Sequence, residues 1–224
     1  MFFLNPFPEF IGFACISHNE VDKKLIFATE KEALSRGAVE KRCLDFFAGR
    51  QAAHLAMQAI NMEPCPIPVG EKNEPLWPEN ITGSISHSCG IALAAVALKA
   101  NVRLIGVDLE DKMRRLQNFS RILQMVCCYQ AEKKWVLEEK NPAAQQVRFL
   151  QVFSAKEAFY KAFFPIFKQR FFFNAVEMLW EDSCKGFSGE IKLEFPGNYN
   201  RGFKIKVHSK FVNSFILSSL FLPA

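Results

Sequence analysis

The sequence predicts a mixed α/β protein built from two subdomains. Apolar residues at helical spacing and runs with strand-like alternation occur in both halves of the 224-residue chain. A polar break at residues 100–103 separates the halves. We therefore expect an N-terminal subdomain over residues 1–101 and a C-terminal subdomain over residues 102–224. The chain is long enough for two small cores.

Composition and charge narrow the class of protein. A hydrophobic share of 50% with 23% charged residues is typical of a globular chain. The net charge of +5 suits an acidic or phosphate-bearing partner, but it is too small for a dedicated nucleic-acid binder, so no nucleic-acid partner is expected. Seven cysteines without C-x-x-C spacing indicate reduced thiols, a cytoplasmic location and no structural zinc. The N-terminus lacks a basic n-region and the apolar C-terminal run is too short to span a bilayer, so no membrane partner is expected.

The N-terminal half begins with a predicted helix over about residues 29–62. Arg42 and Arg50 lie about two turns apart in it and therefore reach the same side. Residues 62–80 carry five prolines, which predicts an exposed connection or a binding loop. A short strand over residues 81–86, a turn at 87–90 and a buried strand over 91–98 follow.

The C-terminal half combines a strand at residues 104–111 with helices and a strand-rich tail. Residues 111–139 are predicted to be mostly helical, residues 141–146 form a polar stretch, and a helix over 153–164 is bent or ended by Pro165. Ser154 and Glu157 have the spacing of a capping box at the start of that helix. The tail is predicted to form antiparallel strands. The Phe-rich residues 163–173 are predicted to be core, with an exposed patch for a partner helix as the alternative.

Two acids on one strand are the first candidates for chemistry. Asp108 and Glu110 are two residues apart, so they share a face of the strand and repel each other unless a cation lies between them. A surface strand with two solvated acids is the plain alternative. Because the opposite face is cleanly apolar, a central strand is expected, and paired carboxylates there suit magnesium.

Two further stretches, residues 83–90 and 153–162, carry polar groups that are candidates for ligand binding. Ser86 and His87 lie in a turn of small residues that lets a ligand approach the backbone, although ordinary turn hydrogen bonds would explain them too. Neighbouring residues on an extended chain point in opposite directions, which disfavours a Ser-His nucleophilic pair. Glu157 and Lys161 are spaced i,i+4 and share a helix face, with Lys156 about a quarter-turn away; a plain helix pair would stabilise by a few tenths of a kcal/mol.

Together and in this order, the stretches GSISHS, GVDLE and FSAKEAFYKA resemble the 4′-phosphopantetheinyl transferase superfamily. The monomeric branch, which includes enterobactin-synthetase and surfactin-type enzymes, is the most similar. The stretches KRCLDFFAGRQAAHLAMQAI and GEKNEPLWP extend the resemblance over residues 40–165. It implies a monomer of two similar α/β subdomains related by a pseudo-twofold. The implied reaction moves the phosphopantetheine arm of coenzyme A to a serine of an apo acyl or peptidyl carrier protein and releases 3′,5′-ADP.

The same resemblance implies residue roles. Asp108, Glu110 and Glu157 would bind magnesium, and Glu157 would also take the proton of the carrier serine. Lys161 would hold the pyrophosphate and act with Glu157 in catalysis. The implied contacts to coenzyme A are Arg42, Arg50, Lys72, Pro75, Ser86, His87, Asp108, Lys156 and Lys161.

Rival functions stay open at the level of the sequence. A magnesium-dependent nuclease or phosphatase would use a similar set of acids and bases, but it would need a broader basic face. A non-catalytic module that binds coenzyme A or a carrier protein would keep the fold alone. Residues 121–135 are unusually apolar for the family, which leaves the carrier-docking surface open. Fatty-acid, polyketide and siderophore carriers all remain candidates.

Overall fold

The computed structural model describes residues 4–34, 39–195 and 197–224. It contains helices and antiparallel strands in both halves, so the mixed α/β prediction is confirmed. The chain divides into two compact units, Met1–Gly106 with Phe221–Ala224, and Val107–Leu220. The elements in chain order are β1 Gly12–Ser17, α1 Ala28–Glu32, α2 Glu40–Gln58, β2 Ile81–Ser88, β3 Ile91–Leu98, β4 Val102–Asp111, α3 Phe119–Val126, α4 Gln130–Leu137, α5 Pro142–Phe167, β5 Val176–Glu181, β6 Gly186–Ile191, β7 Lys204–Val212 and β8 Phe215–Pro223.

The first unit is a three-stranded antiparallel sheet, in the order β1-β3-β2, with α2 packed against it. A ridge of small residues, Ala48, Ala52 and Ala56, is fully buried on the side of α2 that meets the sheet. Their spacing of four residues places them one above another on the helix. Gly12 of β1 lies so close that a Cβ atom there would overlap the carbonyl oxygen of Ala56. Small side chains on both elements therefore let α2 approach the sheet closely.

The second unit is a five-stranded sheet in the order β4-β8-β7-β6-β5, with α5 packed on β5 and β7. Aromatic rings fill its core, and Phe149, Phe159 and Phe163 of α5 are almost completely buried. Of the six rings in the Phe-rich stretch 163–173, Phe163, Phe164 and Phe167 are buried, which confirms the prediction of core for these three, whereas Phe172 is 81% exposed. Within the described residues β4 is an edge strand, so the prediction of a central strand was wrong. Its side chains are nevertheless buried on both faces from 104 to 109.

Several predicted element bounds need correction. The helix expected over residues 29–62 is two helices, α1 and α2, separated by a turn at 33–34 and by residues 35–38, which lie outside the described residues. Leu55, which continues the apolar spacing in the sequence, is 38% exposed because the alanine ridge supplies the buried face instead. β2 extends through Ser88, so the turn occupies only residues 89–90.

The long helix α5 differs most from its prediction. It begins at Pro142, so the polar stretch at 141–146 is its first turn. Asn141 is the N-cap and accepts from the backbone N–H of Ala143 at 2.8 Å, and proline is favoured at the first helical position. The capping box at Ser154 was therefore wrong, because Ser154 lies in the middle of the helix. Pro165 is tolerated near the C-terminal end, and the helix ends at Phe167.

The tail forms the predicted antiparallel strands. β5 pairs with β6, β6 with β7, and β7 with β8, each in antiparallel register. No helix in the described residues is both long enough and apolar enough to cross a membrane.

Candidate functional site

The first unit contains a pocket of about 550 Å³ that is lined by apolar side chains and by a group of bases, Lys41, Arg42, Arg50 and His87. The helix α2 supplies six of the fourteen lining residues, and positions 42, 46, 49 and 50 recur at helical spacing. Gly49 allows the helix to lie against β2, where an added Cβ would come within 2.9 Å of Ile85. Such a lining suits a phosphate-bearing ligand. The lining residues are Ala33, Leu34, Val39, Lys41, Arg42, Asp45, Phe46, Gly49, Arg50, Val69, Asn73, Pro75, Ile85 and His87.

Arg50 is the most deeply placed base in this pocket. It is only 5% exposed, and its guanidinium lies 4.5 Å from the centre of the Phe46 ring. Burial lowers the pKa of Arg50 to about 10, while the nearby charge of Glu30 opposes that shift. Arg50 therefore stays charged at neutral pH, in a setting where a phosphate would meet little competition from water.

The buried carboxylate of Glu30 links several elements around Arg50. Its fully buried carboxylate lies 3.9 Å from Arg50 Nε, and His54 Nε2 is 3.1 Å from the same oxygen. The backbone N–H of Ile67 donates to it at 2.9 Å. Although burial acts to raise it, the pKa of Glu30 is lowered by hydrogen bonds from His54 and from Ile67. The buried anion thus ties α1, α2 and the proline-rich loop into one frame around Arg50.

Four residues predicted from the sequence line this pocket, and two do not. Arg42 and Arg50 share one side of α2, as their spacing predicted, and Pro75 and His87 complete the set. Ser86 is 4% exposed and points to the opposite face of β2 from the exposed His87. Lys72 lies in the exposed part of the loop, with its backbone N–H donating to Glu74 at 2.9 Å. The roles assigned to all six remain predictions.

In the second unit, a lysine pairs with the first acid of the D-x-E strand. Lys161 Nζ of α5 lies 2.7 Å from Asp108 Oδ1 of β4. Asp108 is 4% exposed, so this is a largely desolvated ion pair. Glu110 sits two residues along the strand and pairs with Arg114 at 3.1 Å. Residues 53 positions apart in the chain therefore meet at one place.

The acids of this group perturb one another. Burial, and then the charge of Asp108, raise the pKa of Glu110 to about 7, while Arg114 and Lys161 act in the opposite direction. Burial and the charge of Asp108 also raise the pKa of Glu157, with Lys161 again opposing. Asp108 therefore lies close enough to both glutamates for its charge to change their pKa values. Three acids with Lys161 and Arg114 nearby make a group that retains excess negative charge when ionised.

The chemistry of this group fits a divalent cation, although its present geometry is not a metal site. Carboxylate oxygens are the donors that magnesium prefers, and a cation would relieve the repulsion that raises these pKa values. In residues 4–34, 39–195 and 197–224, no three His, Cys, Asp or Glu side chains are grouped closely enough to hold a metal ion. The assignment of magnesium to Asp108, Glu110 and Glu157 remains a prediction.

Lys156 has a different environment from Lys161. Its ammonium is 2.7 Å from Glu132 and donates to the carbonyls of Val126 and Phe173, each at 2.9 Å. Lys156 is 2% exposed and Glu132 is 1% exposed. Three acceptors match the three protons of the ammonium. This geometry makes Lys156 a structural tie, and its predicted contact with coenzyme A remains a prediction.

Comparison with known proteins identifies the family of the chain. A model of the 4′-phosphopantetheinyl transferase N-terminal domain matches residues 30–97, and a model of the 4′-phosphopantetheinyl transferase superfamily matches residues 104–210. The chain belongs to the 4′-phosphopantetheinyl transferase superfamily. The resemblance predicted from the sequence, and with it the enzyme class, is confirmed.

Several curated relatives agree with this family assignment. The chain is 34% identical to the 4′-phosphopantetheinyl transferase Npt of Nocardia iowensis over 77% of each chain. It is 32% identical to the 4′-phosphopantetheinyl transferase PptT of Mycobacterium tuberculosis, over 72% of this chain and 69% of the relative. It is also 32% identical to enterobactin synthase component D of Salmonella typhi, over 57% of this chain and 51% of the relative.

Some polar residues at these sites were not predicted from the sequence. Lys41 and Asp45 line the pocket, and their place on the Arg42 side of α2 is a signal that helical spacing could have given. Glu132 is an acid near a helix start within the apolar stretch 121–135. It occupies the third position of α4 and accepts from the backbone N–H of Tyr129 at 3.2 Å. Its pairing with Lys156 spans distant segments, which no local pattern reveals.

Proposed function

We propose that this chain transfers 4′-phosphopantetheine from coenzyme A to a serine of an apo carrier protein and releases 3′,5′-ADP. The family assignment supports the reaction class. The observation that carries the residue roles is the pairing of Lys161 with Asp108 at 2.7 Å, beside Glu110 and Glu157, two acids whose pKa values are raised. Keeping the fold without catalysis would not require such a buried group of charges, because burying ionised groups is unfavourable.

The reaction is a displacement at phosphorus. The carrier serine oxygen forms a bond to the phosphorus that carries the pantetheine arm, and the bond from that phosphorus to the bridging oxygen breaks. The electron pair of the broken bond stays on 3′,5′-ADP, and the serine proton passes to a base. Because negative charge accumulates on the leaving diphosphate oxygen, cationic groups near it lower the barrier.

The residues of the second unit supply charge and a base in this scheme. Lys161 offers an ammonium to the diphosphate oxygens. Glu157 accepts the serine proton, directly or through a water molecule, a transfer that asks little of the base because the transition state of phosphoryl transfer is loose. Asp108, Glu110 and Glu157 would hold magnesium, which when bound would supply further neutralisation of the diphosphate.

The residues of the first unit bind the phosphate-bearing end of coenzyme A. Arg42, Arg50 and His87 line the pocket and present cationic or hydrogen-donating groups. Pro75 adds an apolar wall to the same pocket. Ser86, Lys72 and Lys156 lie elsewhere, and we give them no direct part in this scheme. The seven cysteines are free thiols, which supports a cytoplasmic location for the reaction.

The test is incubation with coenzyme A, with and without magnesium, and a panel of apo carrier proteins from fatty-acid, polyketide and siderophore synthesis. Intact mass reveals the added arm, and chromatography reveals 3′,5′-ADP. We expect Glu157→Gln and Lys161→Ala each to lower the transfer rate by at least ~100-fold, the scale for loss of a key electrostatic group. The exposed residues Glu138 and Lys134 provide matched controls, Glu138→Gln and Lys134→Ala.

The outcomes separate the open alternatives. Binding of coenzyme A without transfer to any carrier would indicate a non-catalytic module. Magnesium-dependent cleavage of plasmid DNA would indicate a phosphodiesterase. Near wild-type transfer by both site variants would remove the roles given to Glu157 and Lys161 and leave the reaction class intact.

A further inference from the structure

The basic pocket of the first unit contains one carboxylate. Asp45 of α2 lines the pocket beside Lys41, Arg42 and His87, and it is only 7% exposed. An acid at this place repels a phosphate group and is itself unfavourable to bury. Favourable contacts of Asp45 with other groups of the pocket should therefore offset this cost.

The contacts of Asp45 show what that role is. Oδ1 lies 2.9 Å from His18 Nε2 and 3.7 Å from His87 Nδ1, and Oδ2 accepts from Lys41 Nζ at 3.1 Å. The three bases come from separate segments, since His18 follows β1, Lys41 is on α2 and His87 is on β2. Although burial acts to raise it, the pKa of Asp45 is lowered by Lys41 and by the two histidines. One ionised carboxylate thus pairs with three bases, of which Lys41 and His87 line the pocket.

We propose that Asp45 is a positioning residue for the phosphate-bearing ligand: it holds His87 and Lys41 at the pocket and couples His18 to them. This inference rests on the proposed function, in which the ligand is coenzyme A. The pocket wall is assembled before the ligand arrives, which lowers the ordering cost of binding. Nδ1 is the ring nitrogen of His87 that faces Asp45.

The arrangement makes ligand binding depend on pH. The groups that face Asp45 are His18, Lys41 and His87, and the pocket adds the permanent charges of Arg42 and Arg50. The nearest other acid of the His18 segment, Glu20, is turned to Ser17, whose N–H donates to it at 2.8 Å. A protonated imidazole is cationic and attracts a phosphate group, whereas a neutral imidazole lacks that charge. Affinity is therefore highest at low pH and falls as pH rises through the range where histidine loses its proton.

The experiment is isothermal titration with 3′,5′-ADP, and separately with coenzyme A, from about pH 5.5 to 8.5, the range that spans histidine titration. Asp45→Asn keeps the shape and removes the charge. We expect it to weaken binding about tenfold at neutral pH, the effect of losing one charge-assisted contact. Glu40→Gln is the matched control, since Glu40 is an exposed acid on the same helix, and it should behave as the wild type.

His18→Gln gives an independent arm, because it leaves the carboxylate in place. We expect a shallower pH dependence in this variant, with affinity at high pH close to that of the wild type. In the transfer assay Asp45→Asn should raise KM for coenzyme A while kcat stays within about twofold, as expected of a group that acts in binding. Thermal melts followed by circular dichroism confirm that each variant is folded.

Several results would overturn the inference. Unchanged or tighter binding by folded Asp45→Asn at every pH would show that the carboxylate only repels the ligand. Should Asp45→Asn not fold, an unaltered pH dependence in His18→Gln would have the same force. Failure of the proposed function looks different: the wild type would then bind 3′,5′-ADP in a pH-dependent manner but modify no carrier protein.

Discussion

Replacing Lys156 with methionine is expected to destabilise the second unit far more than any surface substitution. Methionine keeps the length and apolar stem of lysine but removes the charge. The change leaves the carboxylate of Glu132 buried at 1% exposure with no cation beside it, and it leaves two carbonyls without their donor. Removal of one partner of a buried ion pair costs about 3–5 kcal/mol, a large part of the stability of an ordinary domain.

The pH dependence of this effect follows from Glu132. Burial raises the pKa of Glu132 above its usual value, and Lys156 opposes that shift. Without the lysine, the folded protein binds a proton at Glu132 still more readily than the unfolded chain does. The stability deficit of Lys156→Met is therefore largest above the folded pKa and shrinks as pH falls, because a protonated carboxyl no longer needs a cation.

The assay is urea unfolding followed by near-ultraviolet circular dichroism. Trp135 and Trp180 stack in the second unit with ring centroids 5.0 Å apart, so their signal reports on this unit. The control is Lys134→Met, which breaks an exposed pair with Glu138 and should change stability by less than about 0.5 kcal/mol. The double variant Lys156→Met/Glu132→Gln should recover part of the loss. A deficit for Lys156→Met no larger than that of Lys134→Met would refute the reasoning.

Two further predictions concern packing and thiol reactivity. Gly12→Ala should destabilise the first unit by about 1–3 kcal/mol in urea unfolding, because the added methyl group overlaps the carbonyl of Ala56; wild-type stability would mean that β1 and α2 are farther apart than described. At pH 8, iodoacetamide should modify the exposed Cys89 first, as read by peptide mass mapping, while burial protects Cys127 and Cys15 by raising their pKa values to about 12 and about 11. Early labelling of Cys127 would contradict its burial.

The sequence predicted the fold class because its signals are local. The alternation at 104–111, the apolar run at 91–98 and the spacing of Arg42 and Arg50 each depend on residues within one element. The position of β4 at the edge of its sheet could not be predicted in the same way, since strand order depends on contacts between distant segments. The start of α5 was missed for a different reason. Asn141 followed by Pro142 is a sound local signal for a helix start, but the polar residues after it looked like a loop.

Candidate site residues could be predicted where a motif places them, and not where burial decides their partners. Asp108, Glu157 and Lys161 were predicted as one group, and the structure brings Lys161 to Asp108. Asp45 and Glu30 were missed because most of their bases lie on other segments, 27 and 24 residues away in the cases of His18 and His54, although Lys41 lies four residues from Asp45 on the same helix. A lone acid within a helix carries no sign of such partners.

Two lysines of α5 have different partners because they point to different sides of the helix. Lys156 and Lys161 are five residues apart, which corresponds to roughly 140° around the helix axis. One ammonium therefore enters the core and meets Glu132, whereas the other, 26% exposed, meets Asp108. The two residues should then differ in experiments: loss of Lys156 lowers the free energy of unfolding and, through it, the rate of transfer, whereas loss of Lys161 acts on the rate of transfer. Glu157 adjoins Lys156 in the chain. The buried Lys156–Glu132 pair therefore also fixes the rotation of α5 that places Glu157 near Asp108. Under this geometry, partial rescue of stability by the Lys156→Met/Glu132→Gln variant should be accompanied by partial rescue of transfer.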